Sequence, residues 1–77
     1  MANTAFNYEI VEHIATLSEN GSTTKELNRV AYNGSPAKYD LRSWKREGGE
    51  KKLLKGLTLT DEEATALKEA LNSRADI

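Results

Sequence analysis

The chain has 77 residues, no cysteine, a single histidine and a formal net charge of −1. This length predicts one domain, residues 1–77, that buries only about 60% of its unfolded surface, so pairing with a second copy is a natural source of stability. Because the chain has no cysteine and only one histidine, His13, we expect no disulfide framework, metal, cofactor or enzyme activity. Because it has no run of roughly 18 apolar residues, we expect a soluble, cytoplasmic protein with no membrane partner.

The first predicted element is ambiguous. Residues 1–5 show no periodicity and are expected to fray. From Phe6 to Leu17, the residues Ile10, Ile14 and Leu17 have the spacing of one helix face, whereas the β-branched and aromatic content favours a strand. The residues alone leave both structures open.

A turn signal and a second strand follow. Ser18 to Ser22 include Asn20-Gly21, which suits a hairpin turn with positive φ. Thr23 to Asn33 predicts a strand whose faces are both mixed, which fits a sheet lying between a helix and a polar ligand, and fits a plain edge strand equally well. Asn33 to Pro36 is the next turn.

The third and fourth strands surround a charged segment. Lys38 to Trp44 alternates, so that Lys38, Asp40, Arg42 and Trp44 share one side of the pleat. Lys45 to Lys52 is interpreted as a hairpin connection with a flexible glycine pair, either a solvated loop or one that contacts phosphates. Leu53 to Thr60 predicts the last strand.

The chain ends in a predicted helix from about Asp61 to Ser73, with residues 74–77 frayed. Thr60 and Glu63 have the spacing of a capping box. The apolar stripe of this helix, with Leu67 at its centre, is too thin to cover four strands, which favours completion by a second subunit. Residues 61–77 hold two basic and five acidic side chains, against nine and seven in the preceding part, so the sheet is mildly basic.

Three motifs carry a family resemblance. They are Lys25-Glu26-Leu27-Asn28-Arg29-Val30, Lys38-Tyr39-Asp40-Leu41-Arg42-Ser43-Trp44 and Lys55-Gly56-Leu57-Thr58-Leu59-Thr60. The chain resembles the transcriptional coactivator family of positive cofactor four, most closely its bacterial YdbC-like branch, from about Phe6 to Leu71. The resemblance implies an α+β fold in which a four-stranded antiparallel, strongly curved sheet precedes one C-terminal helix (ββββα). It also implies a strand near the N-terminus, and a homodimer through the last strand and the helix.

The resemblance further implies binding of single-stranded DNA with little sequence specificity, in transcription regulation or in DNA replication and repair. RNA and RNA polymerase are further expected partners, in a nucleoid-associated protein. In the matched motifs, Arg42 would meet a phosphate, Trp44 would stack under a base, and Lys55 would contact the strand. The full candidate set is Lys25, Arg29, Tyr32, Lys38, Arg42, Trp44, Lys45, Lys51 and Lys55.

Plainer interpretations stay open. In so small a domain Trp44 is also a candidate for the core or a dimer interface, Arg42 for an ion pair with Asp40, and Gly56 for close strand approach. A different function, a protein-interaction module that docks RNA polymerase or another DNA-handling protein, is favoured by the near-neutral net charge, because nucleic-acid-binding domains usually have a basic excess.

Overall fold

The computed structural model describes residues 7–77. Its elements are β1 (Tyr8–Asn20), β2 (Thr23–Tyr32), β3 (Lys38–Glu47), β4 (Glu50–Leu59) and α1 (Asp61–Asn72). The strands form one antiparallel sheet in the order β1-β2-β3-β4. The predicted ββββα fold is therefore confirmed, whereas the expected fraying of residues 1–5 and the strand start at Phe6 lie outside the described residues.

Two-residue turns join the strands of the outer hairpins. Gly48 and Gly49 connect β3 to β4 with φ of 58° and 83°, the positive values that a type I′ turn requires at both positions. The prediction of a long connection from Lys45 to Lys52 is consequently wrong, because strand pairing continues up to the glycines. Gly21, with φ of 63°, is the first residue of the β1–β2 turn, which leaves Asn20 in the strand.

The pairing pattern of β1 repeats every three residues of β1, and each repeat pairs with two residues of β2. Register shifts leave Val11, Ile14 and Leu17 without a Cα partner on β2. Each is a β-bulge, and bulges bend a strand and increase its twist. The pairings between the bulges place His13 opposite Asn28 and Thr16 opposite Glu26, so every third residue of β1 has the same relation to the sheet.

This extra length on one edge lets the sheet coil around one of its faces. The Tyr8 hydroxyl on β1 donates to the Lys51 carbonyl on β4 at 3.2 Å, which links the two opposite edge strands. We call the enclosed side the inner face. It carries alternate residues of β2 and β3: Thr24, Glu26, Asn28, Val30, Asp40, Arg42 and Trp44.

The helix lies on the other side, the outer face. It begins with the predicted capping box, because the Glu63 amide donates to the Thr60 hydroxyl at 3.0 Å and the Thr60 amide donates to the Glu63 carboxylate at 2.9 Å. A groove of about 510 Å³ separates helix and sheet. Leu67 and Leu71 on its rim are 41% and 45% exposed. None of the helices in residues 7–77 has the length and apolar character needed to cross a bilayer.

Candidate nucleic-acid interface

Arg42 is held inside the sheet by Asp40. Its Nε and Nη2 donate to the two carboxylate oxygens at 2.7 and 2.9 Å, and its Nη1 donates to the Leu54 carbonyl at 2.9 Å. The Asp40 hydrogen bonds raise the pKa of Arg42 above its ordinary value. Only 11% of the arginine side chain is exposed, so the ion pair that the sequence left open is confirmed.

Trp44 shares the inner face with Arg42, as predicted, but that face is closed. The indole is 0% exposed, because the Tyr8 ring lies 5.7 Å from it and the Lys51 ammonium lies 5.3 Å from its centroid. The expectation that Trp44 presents its ring outward is therefore wrong. The coiling that brings β1 over the sheet is the physical reason.

The remaining candidates divide between the two faces. Tyr32 lies on the inner side, where burial and a 2.7 Å hydrogen bond to Asp40 raise its pKa to about 12. Arg29 lies on the outer side, over the Tyr39 ring at 5.4 Å. Lys38 is exposed at the start of β3. Their contacts with nucleic acid stay predictions, but the nine candidates do not form one surface.

Four cations gather near the turn between β3 and β4, and Arg46 and Lys52 are the most exposed of them. Lys45 lies directly opposite Lys52, and Arg46 lies directly opposite Lys51. We call these four residues the cation hairpin. Each pair has a carboxylate nearby: Glu47 is 3.7 Å from Lys45 and 3.1 Å from Lys52, and Lys52 holds the pKa of Glu47 below its ordinary value.

A second basic feature adjoins the cation hairpin on the outer face. Lys25 and Lys55 line a groove of about 310 Å³ together with Ser43. Both lysines are exposed, and neither forms an ion pair within residues 7–77. Arg42 also lines this groove, although its guanidinium is held by Asp40. Lys55 continues the basic surface that Lys45 and Lys52 begin.

A buried carboxylate lies beneath Arg46 and Lys51, the pair of the cation hairpin on the inner face. Glu26 is 0% exposed and accepts hydrogen bonds from Thr24 at 2.6 Å, Asn28 at 3.2 Å and Lys51 at 2.8 Å, with Arg46 at 3.7 Å. Burial raises its pKa, but the hydrogen bonds from Lys51, Thr24 and Asn28 outweigh burial and lower it to about 2.

Acid is expected to weaken the fold through Glu26. Its pKa is about 2 in the folded chain and near 4.3 in an unfolded one, so its stabilisation is complete above that value and is lost as the pH falls toward 2. We expect the wild-type free energy of unfolding to fall by about 2 kcal/mol more than that of Glu26→Gln between pH 5 and pH 3. Urea titrations of both proteins at each pH measure the difference, and parallel pH profiles would contradict it.

Sequence analysis missed Arg46, Lys52 and Glu26. The two cations lay in the charged segment that was assigned to a loop. The Gly48-Gly49 pair was the available signal, since glycine pairs favour two-residue hairpins and such a turn fixes Lys45 opposite Lys52. Glu26 was assigned to a mixed face, and nothing local indicated which face would be enclosed.

Two comparisons with known proteins give a match. The family model for Transcriptional Coactivator p15 (PC4) matches residues 19–70. An uncharacterized protein of Treponema pallidum (strain Nichols) is 40% identical over 74 residues, an alignment that spans 95% of this chain and 85% of the relative. The matched region includes β2, β3, β4, the cation hairpin and most of α1.

Proposed function

The chain belongs to the Transcriptional Coactivator p15 (PC4) family, and from this premise we propose that it binds single-stranded DNA through the cation hairpin and the adjoining lysine groove. The DNA contact serves transcription, as the family description indicates. The bases need not enter the enclosed inner face, because the phosphates meet cations on the exposed end of the sheet.

The observation that carries this proposal is the cross-strand pairing of like charges. Lys45 opposite Lys52 and Arg46 opposite Lys51 place cations side by side, an arrangement that destabilises an isolated sheet. Glu47 and Glu26 offset part of the repulsion. The negative charges of a phosphate backbone would offset the rest. Each lysine or arginine that meets a phosphate also releases a condensed counterion, which favours binding.

Lys45 and Lys52 offer the cleanest test of this proposal. Lys45→Ala combined with Lys52→Ala removes two exposed cations that do not contact the buried Glu26. We expect the slope of log affinity against log salt concentration, measured by anisotropy with a labelled single-stranded oligonucleotide, to fall in magnitude by about 1.4, since each contact to a single strand contributes roughly 0.7.

Lys68→Ala combined with Arg74→Ala is the matched control, because it removes the same formal charge from α1 and the C-terminal residues beyond it. Its salt slope is expected to stay near the wild-type value. If both double variants change the slope equally, net charge rather than the cation hairpin governs binding, and the proposed position of the DNA contact is wrong. Absence of salt-dependent binding to the oligonucleotide would favour a module that docks proteins.

We also propose that the protein is a homodimer that pairs through β4 and α1. Leu57 on β4 is 51% exposed. Leu67 and Leu71 on α1 are 41% and 45% exposed, and they border the groove where the helix incompletely covers the sheet. Sedimentation at micromolar concentration should give twice the chain mass of 8.5 kDa. Leu67→Ser combined with Leu71→Ser should give a monomer, whereas a monomeric wild type would rule out this interface.

A further inference from the structure

Three exposed aliphatic side chains follow the edge strand β1. Val11, Ile14 and Leu17 are 56%, 40% and 55% exposed, and all three occupy bulges. We call them the edge row. Because β1 repeats every three residues against β2, the three positions are equivalent in the sheet. Single exposed aliphatic residues are ordinary, but a repeated set on one strand marks an interaction surface.

The bulges determine what kind of element fits beside this edge. A partner strand would need evenly spaced amide and carbonyl groups along β1, and three bulges in succession interrupt that spacing. Three extended residues span about 10 Å, close to the roughly 10.5 Å covered by seven residues of an α-helix. A helix with an aliphatic residue at every seventh position therefore matches the repeat of the edge row.

Charge restricts the source of that helix. Glu9, Glu12 and Glu19 are exposed on β1, and no ion pair to their carboxylates occurs within the part of the chain that the structure describes. Helix α1 of a second copy is a poor match, because its first turn is acidic and would face these glutamates. Basic residues beside the aliphatic ones would complement them.

We propose that the edge row is a docking site for an amphipathic helix of a partner protein, in which lysine or arginine residues flank aliphatic residues of heptad spacing. The site lies on the sheet edge opposite β4. It is therefore separate from the dimer interface proposed above, and docking does not depend on DNA binding.

Labelled 22-residue helical peptides test this proposal. The first probe carries leucine at every seventh position with flanking lysines; the second replaces the lysines by glutamates, and the third replaces the leucines by alanines. The full chain should bind the first probe at least tenfold more tightly than either other probe. Equal binding of the first and third probes would show attraction by charge alone and would overturn the proposal.

Val11→Ser combined with Ile14→Ser and Leu17→Ser should weaken binding of the first probe at least tenfold, because it removes the aliphatic side chains of the edge row. The fold should be retained, because all three side chains are exposed. Leu54→Ser on β4, where the leucine is 37% exposed, is the control and should bind as wild type does. Unchanged peptide binding by the triple variant overturns the docking site. A change in its sedimentation mass assigns the edge row to self-association instead, and its oligonucleotide binding should stay at the wild-type level.

Discussion

Trp44→Ala is expected to lower the free energy of unfolding by about 4 kcal/mol, in line with other replacements of buried tryptophan by alanine. The side chain is 0% exposed and lies against the Tyr8 ring and the Lys51 side chain. Total stability for a domain of this size is only about 4–11 kcal/mol. The expected loss is therefore between about a third and all of the total stability.

Guanidinium titration followed by far-ultraviolet circular dichroism measures this loss, because the variant has no tryptophan left to report by fluorescence. Trp44→Phe is the matched control and should retain more than half of the stability, since an aromatic ring still fills the space. A Trp44→Ala protein that unfolds like the wild type yet binds oligonucleotides poorly would return Trp44 to the exposed position predicted from the sequence.

Gly56→Ala is expected to destabilise the chain by roughly 3 kcal/mol, at the upper end of the usual cost of overpacking. A Cβ at this position would lie 1.9 Å from the Arg42 Cβ and 2.6 Å from the Arg42 Cα and the Leu41 carbonyl oxygen. Two of these three distances are to backbone atoms, so no side-chain rotation relieves them. The register shift between Arg42 and Trp44 must change instead.

Thr58→Ala on the same strand is the control, because its side chain is exposed and its replacement should cost under about 1 kcal/mol. Both variants are compared by urea titration. A Gly56→Ala protein as stable as Thr58→Ala would show that β3 and β4 lie farther apart than the structure places them. The sequence had already indicated close strand approach as one reason for this glycine.

The sequence predicted elements where a local rule decides the structure. The Thr60 and Glu63 capping box fixed the helix start, and alternation correctly placed Arg42 and Trp44 on one face. Alternation does not tell which face becomes enclosed, because that depends on how strongly the sheet coils. The site prediction chose the enclosed face and so gave Trp44 the wrong environment.

The coiling itself was hidden in β1. Ile10, Ile14 and Leu17 suggested a helix because bulges at Val11, Ile14 and Leu17 replace the strand period of two by a period of three. A bulge results from pairing with a neighbouring strand, and no local rule in β1 announces it. The cation hairpin could have been predicted more easily, because its register follows from the two-residue glycine turn.

Binding of unpaired DNA at the exposed cations is tested most directly by one anisotropy experiment, in which the wild-type chain is titrated into a labelled single-stranded oligonucleotide and into the duplex of the same sequence at 50 and 200 mM salt. We expect tighter binding to the single strand, with an affinity that falls steeply as salt rises. Absence of binding, or an affinity for the single strand that salt leaves unchanged, would contradict it.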